Sequence, residues 1–385
     1  MIAPFRHVRR PCSAAMWRIV ASALALWLGL PALSAAQSAP ASDPAPPSLV
    51  AAPPAAAATA EAPAGEAIGE TAAIVLVLPL ASPAFGRAAE AVQAGFLAAA
   101  DAAKSKVLVI AHGDDEVLAG FAKAKKAGAR VVVGPLVRDD LKTVAAAGLE
   151  LPPTIALNQL DDGTPLPPKM YALSLTLDSD ARKLARRARD EGAAMVAVIA
   201  SDTPLQQRFA AAFNAEWILA GGGAPVMFRF DRTPEALGSL RRDLGRAQYD
   251  AVLLALDGPD VALAKSYAKS IPTFTSSLVN ERQPREALRD LDELRFVDIP
   301  WLVEPEAASF AGLKRRDYAN AALERLYALG IDAFRVAQVF TDGPPEKLDL
   351  DGATGHLSLD ASRQFVREGR MMVFRSGAIV PADPR

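Results

Sequence analysis

Apolar positions in this chain fall into short, nearly unbroken runs, separated by longer stretches in which they recur every three or four residues. The runs are 74–80 (IVLVLPL), 106–111 (KVLVIA), 129–134 (ARVVVG), 153–158 (PTIALN), 195–201 (MVAVIAS), 225–230 (PVMFRF), 250–256 (DAVLLAL), 272–276 (PTFTS) and 294–299 (LRFVDI). A run that is apolar at almost every position is a strand buried on both faces, as in a parallel sheet covered by helices on both sides. The stretches between have helical spacing. In 204–220, Phe209, Phe213, Trp217 and Ala220 fall on one stripe. Alternating strand and helix predict a doubly wound α/β fold. Roughly 310 residues of such texture exceed what one hydrophobic core usually serves, so two units are expected.

Two breaks in the rhythm suggest where the chain passes between those units. Residues 158–178 hold a proline-rich loop, a short strand at 171–175 and a helix start capped by Asp178 or Ser179. The second break is Asp298-Ile299-Pro300-Trp301. A helix is expected over about 306–329, followed by GIDAFRVAQVF and a strand-rich tail that includes 352–360 and 371–381. The expected organisation is a first lobe of 72–176 with 302–348 and a second of 177–301 with 349–382. Three crossings would form a hinge beside a shared cleft.

The N-terminus has a different character. Arg6, Arg9, Arg10 and Arg18 precede an apolar core at 19–30, and Ser34-Ala35-Ala36 supplies a small-residue cleavage site. This pattern predicts a secretory signal peptide over 1–36, cleaved near Ala36. The core is about half the ~20 residues that a membrane-spanning helix needs, so no span is expected after cleavage. Residues 37–71 are Ala- and Pro-rich and read as an extended linker. Cys12, the one cysteine, precedes the apolar core, where it cannot carry a lipid at the cleavage point. The mature chain is therefore expected to be soluble and periplasmic, without disulfides or thiolate metal sites. Removing the four signal arginines from the total of 42 basic residues leaves 38 against 44 acidic ones, a net charge of −6. An acidic chain lacks the basic surface that nucleic acid or an anionic membrane requires.

Catalytic patterns are missing. The sequence has no phosphate-binding G-x-x-x-x-G-K-[ST], no G-x-G-x-x-G after the first strand and no G-x-S-x-G elbow. His112 and His356 stand alone, and Asp114, Asp115 and Glu116 sit where acids favour a helix start. No cofactor, no metal and no catalytic residue is expected. In open α/β sheets ligands gather beyond the carboxyl ends of the strands. There the chain offers Ser82, Gly134, Pro135, Asn158 and Gln159 in its first part. In the second it offers Ser201, Asp257 and Ser276. These small and polar groups are the candidates for facing a cleft and a small polar ligand.

Several segments together resemble a known family. The opening at 77–103 (VLPLASPAFGRAAEAVQAGFLAAADAA) is similar to that of type I periplasmic binding proteins. The segments VVGPL (132–136), ALNQ (156–159), QQRF (206–209), AFNAEW (212–217), LRFVDIPWL (294–302), LYALGIDAFR (326–335) and GATGHLSLD (352–360) follow one another as in the penicillin-binding-protein activators, the LppC or Lpo-type proteins. The resemblance covers about 72–382. It implies a two-lobed type I periplasmic-binding-protein-like fold, no enzymatic activity, and contact with a class A penicillin-binding protein whose peptidoglycan synthesis it stimulates. Enterobacterial members carry a lipid-bearing cysteine and a helical-repeat domain ahead of this module, where this chain has the Ala/Pro stretch. The alternative reading is a solute-binding receptor of an ABC transporter for amino acids or another small polar solute.

Overall fold

The run 74–80 forms β1 (Ile74–Leu78), and all five of its residues are buried. The structure, a computed structural model, describes residues 72–160, 164–281 and 285–382. The signal and linker segments expected over 1–71 lie outside the described residues, as do Asp161 and Asp162. β1 lies at the heart of a five-stranded parallel sheet with β2 (Val107–Ala111), β3 (Val131–Val133), β4 (Thr154–Ala156) and β5 (Met170–Ala172), in the order β2-β1-β3-β4-β5. The first connections are α1 (Gly86–Ala102), α2 (Val117–Lys126) and α3 (Arg138–Ala146).

α4 (Asp178–Asp190) leads from β5 into a second sheet. Its parallel part alternates with helices: β6 (Val196–Ala200), α5 (Pro204–Leu219), β7 (Val226–Arg229), α6 (Pro234–Arg246), β8 (Ala251–Ala255), α7 (Gly258–Ala268), β9 (Thr273–Thr275), the short α8 (Arg285–Leu288) and β10 (Leu294–Asp298). After β10 come α9 (Pro300–Val303) and α10 (Ala321–Phe340), then β11 (Asp349–Asp351), β12 (His356–Leu359) and β13 (Phe365–Glu368), which form a small antiparallel sheet. Finally β14 (Arg370–Arg375) pairs antiparallel with β10, and β15 (Ala378–Pro381) with β14. The second sheet runs β15-β14-β10-β9-β8-β6-β7. This is the expected α/β architecture of two mostly parallel sheets with helices on both faces.

α10 returns to the first sheet. Its Phe334 meets Phe96 of α1 edge to face at 5.5 Å, in a core shared with Leu76 and Val133. Two glycines let α1 and α10 touch backbone to backbone. A Cβ on Gly95 would stand 1.8 Å from the carbonyl oxygen of Tyr327, and one on Gly330 would stand 2.0 Å from that of Val92. Leu348, Ala353, Leu357 and Phe365 join this same core, so the small sheet packs on the first sheet, while β14 and β15 complete the second.

The structure corrects three local expectations. The helix expected over 306–329 spans Ala321–Phe340 instead. Residues 304–320 are held open by side-chain contacts: Arg315 stacks 3.9 Å above Trp301 and donates to the carbonyls of Trp301 and Pro305. Asn320 then starts the helix, its Oδ1 accepting from the Leu323 N–H at 2.9 Å. Second, Leu177 rather than Asp178 or Ser179 occupies the N-cap of α4. Third, α5 buries Phe209, Phe213 and Trp217 as expected, but it ends at Leu219, which leaves Ala220 exposed.

Candidate functional site

The strand ends of the first sheet are tied to one another. Ser82 is buried, and its Oγ accepts from the Phe85 N–H. Gly134 adopts φ +119°, and a Cβ there would lie 2.2 Å from the Val77 carbonyl oxygen, so only glycine fits. Its N–H donates to Ile155 O, and Pro135 O accepts from the Leu157 N–H. The Gly134–Pro135 peptide bond is cis. Asn158 bridges two loops: its Nδ2 donates to Leu136 O, and its Oδ1 accepts from the Gln159 N–H.

On the second sheet, Ser201 Oγ lies 3.2 Å from Thr203 Oγ1, and its carbonyl accepts from Gln207 Nε2. Asp257 accepts from Gln206 Nε2 at 2.9 Å. Ser276 is buried, and its Oγ has no hydrogen-bond partner among the described residues.

Between the two sheets lies a pocket of about 260 Å³. Leu136, Leu157 and Asn158 line it from the first sheet, Leu205 and Phe209 from α5, and Leu326 and Leu329 from α10. Arg138, Arg208 and Asp178 carry the charge on its wall, and none of them is free. Arg208 Nε donates to Asp178 Oδ1 and Oδ2 at 3.0 and 3.1 Å, and Nη2 donates to Oδ2 at 2.6 Å. With its amide oxygen turned inward, Gln159 also accepts from Arg208. Of the eight candidates, Asn158 lines this pocket, and Gln159 lines an adjoining one. Ser82, Gly134, Pro135, Ser201, Asp257 and Ser276 line neither.

Sequence patterning missed the groups that dominate the junction between the sheets. Arg325, on α10, reaches Asp298 at the end of β10 with Nε–Oδ1 at 3.1 Å and Nη2–Oδ2 at 2.9 Å. Its Nη2 also donates to Ser277 O at 2.8 Å. Asp298 in turn accepts from Asn280 Nδ2 and from the Ile299 N–H. Both ions are almost fully buried. A second buried pair joins Arg367 of β13 to Asp180 of α4 at 2.6 Å, and Arg367 Nη2 also donates to Thr176 O. Burial pushes the Asp180 carboxyl above its ordinary value, against the pull of Arg367.

Asp332, also pushed up by burial, accepts from the N–H groups of Ala353 and Thr354 and from Thr354 Oγ1. The glycine-rich segment at 352–355 is thereby wrapped around one carboxylate of α10. Where the chain crosses between β13 and β14, a Cβ on Gly369 would meet Asp298 O at 2.7 Å, so two crossings lie against each other. An aspartate closing the run LRFVDI, where Asp298 stands between Val297 and Ile299, was the available sequence signal, since such residues are seldom buried unless paired. Its partner carries no signal of its own.

Among the described residues, no group of three or more His, Asp or Glu is placed to hold a metal ion. No described helix is long and apolar enough to cross a membrane.

The chain matches a family described as "LppC putative lipoprotein" over residues 65–240 and 241–377. The penicillin-binding protein activator LpoA of Haemophilus influenzae is 25% identical over 301 residues, which cover 75% of this chain and 52% of that protein. LpoA of Mannheimia succiniciproducens is 27% identical over 329 residues, 80% of this chain and 55% of that protein. The chain thus spans about half the length of the curated relatives it matches. Among solved structures, one from Chromobacterium violaceum, described as a putative branched-chain amino acid ABC transporter, aligns with a TM-score of 0.70 and 33% identity. That alignment covers 78% of this chain and 99% of the other. The C-domain of H. influenzae LpoA, described as a regulator of PBP1A, shares the fold with a TM-score of 0.71 at 24% identity, over 80% of this chain and 99% of that domain.

Proposed function

This chain belongs to the LppC family, and from that premise we propose that it stimulates a class A penicillin-binding protein by direct contact, with no catalysis of its own. One observation carries the reading: relatives named as penicillin-binding protein activators align over 301 and 329 residues, a span that takes in most of this chain. The proposed setting is the periplasm, reached through the signal pattern at 1–36. The proposed units are two lobes, 72–176 with 302–348 and 177–301 with 349–382, that meet at the buried Arg325–Asp298 pair; within the last segment, the small sheet packs on the core of the first sheet, while β14 and β15 complete the second.

The junction chemistry favours this reading over a solute receptor that closes on its cargo. A receptor for free amino acids needs charges available to the ammonium and carboxylate groups. In the pocket between the sheets, Arg208 is already matched by Asp178, Arg138 is engaged as well, and much of the remaining wall is leucine. The buried ion pairs also bind one sheet to the other, which suits a surface of fixed shape.

The test is reconstitution. The mature chain is added to the class A penicillin-binding protein of the same cell, with lipid-linked disaccharide-peptide as substrate. Faster glycan-strand synthesis and a saturable complex are expected. An unchanged rate together with no complex overturns the proposal.

A further inference from the structure

We propose that a second pocket, beside the start of α4, binds a small monoanionic carboxylate and that Arg182 is its anchor. This pocket of about 220 Å³ adjoins the one between the sheets, and Ser174, Thr176, Ser179, Arg182 and Gln364 are among its lining residues, with Phe365 as an apolar wall.

The case rests on which polar groups there are committed and which are not. Asp178 is engaged by Arg208. Asp360 accepts from the N–H groups of Ser362 and Gln364 and from Ser362 Oγ. Asp180, behind the wall, is held by Arg367. Arg182 is partly buried, yet it makes no hydrogen bond or ion pair with any described residue. The hydroxyls of Ser174, Thr176 and Ser179 are likewise uncommitted among the described residues. A partly buried guanidinium keeps some contact with water, and an acceptor that replaces the water it has lost strengthens its position. A carboxylate offers it two parallel charge-assisted hydrogen bonds in matching planar geometry.

Charge and size narrow the class of ligand. With Asp178 spent on Arg208, Asp360 remains in the same pocket and opposes a second negative charge, which disfavours phosphate and favours a monoanion. The volume falls below the range of about 300–1,000 Å³ usual for drug-sized ligands, so an occupant the size of an acylated amino acid fits. The uncommitted hydroxyls suit an amide or hydroxyl beside its carboxylate.

The test uses the whole mature chain and three probes, N-acetylglycine, N-acetylglycinamide and inorganic phosphate, followed by calorimetric or NMR titration. N-acetylglycine is expected to bind saturably, and the amide and phosphate at least about tenfold more weakly. Arg182→Gln, with an unchanged melting temperature, should lose at least about tenfold in affinity for N-acetylglycine, while Arg182→Lys keeps part of it. Ser179→Ala gives a second, milder variant should Arg182→Gln fold poorly, and it should also weaken binding. No saturable binding of N-acetylglycine at millimolar concentration overturns the proposal. So do equal binding by wild type and a well-folded Arg182→Gln, and tighter binding of phosphate than of the carboxylate. The outcome is independent of whether the chain activates a penicillin-binding protein.

Discussion

Arg325 on α10 grips Asp298 at the end of β10 through hydrogen bonds of 3.1 and 2.9 Å, and so fastens a helix of the first sheet to a strand of the second. The pair is almost fully buried; Arg325 Nη2 also donates to Ser277 O, Asp298 also accepts from Asn280 Nδ2 and the Ile299 N–H, and Arg325 Nη1 makes no hydrogen bond among the described residues, standing 3.6 Å from Glu281 Oε1. Such a pair is worth little against two well-packed apolar residues, but breaking one side strands a charge in low dielectric.

Arg325→Met should therefore lower the unfolding free energy by about 3–5 kcal/mol. Arg229→Ala, which removes an exposed partner of Asp202, should cost well under about 1 kcal/mol. Urea unfolding of the two variants measures the contrast. Equal, small losses would show that the junction does not depend on the Arg325 charge.

A pH dependence follows from the neighbouring pair. Burial raises the folded-state pKa of Asp180 above its ordinary value near 3.8. Between the unfolded and folded pKa values, the folded chain then binds more protons than the unfolded chain, so this group's contribution to stability increases as pH falls through the folded pKa. Its Oδ1 has no partner among the described residues and is free to take the proton, while Oδ2 still accepts from Arg367. Asp180→Asn removes the titration and keeps an acceptor for Arg367. The stability of wild type relative to Asp180→Asn should rise on acidification from pH 7 through that window. A relative fall, followed by denaturant unfolding at each pH, would contradict the assignment.

The strands were legible because their information is local. All nine apolar runs became strands within a residue or two of the expected limits, and burial on both faces marks consecutive positions in the inner strands. But β2 and β7 lie at sheet edges, where β2 is only partly buried and β7 largely exposed, contrary to the expectation of burial on both faces. The junction was not legible, because Arg367 and Asp180 are 187 residues apart and Arg325 and Asp298 27 apart. Nothing local to an arginine states which carboxylate it will meet. Of the candidate residues at the strand ends, Asn158 and Gln159 line the two pockets, and the other six line neither. Asn158 and Gly134 also hold loops together, while Arg138, Arg182 and Arg208, all on helices, supply the positive charge at the two pockets. The misplaced helix has the same origin: apolar spacing runs on through 306–320, and contacts made with other segments, among them Arg315 on Trp301, Arg335 on Ser309 O and Tyr327 on Lys314 O, together with Gly312 at φ +84°, accompany its non-helical path.

Asn320 marks where that helix begins, and its side chain accepts from the Leu323 N–H. Asn320→Ala should destabilise the chain by about 1 kcal/mol, and Asn320→Asp should be close to neutral. The comparison by thermal or chemical unfolding separates capping from a general effect of the substitution, because aspartate restores the acceptor. If both variants lose equally, the cap is not what sets the start of α10.

The contact between α1 and α10 makes the strongest steric demand in the fold. A Cβ at Gly330 would sit 2.0 Å from Val92 O and 2.8 Å from Phe96 N, both of them backbone atoms that no rotamer change can move aside. Gly330→Ala must therefore push the two helices apart, opening the Phe96–Phe334 contact and the core beneath it. The cost should reach or exceed the upper end of the usual overpacking range of about 1–3 kcal/mol. Gly312 offers the control: its φ of +84° makes alanine strained, but open space surrounds it, so Gly312→Ala should cost only about 1–2 kcal/mol. Denaturant unfolding that ranks Gly312→Ala as the more damaging change would mean that the helices are not in backbone contact, and α10 would then have to pack on the first sheet by another route.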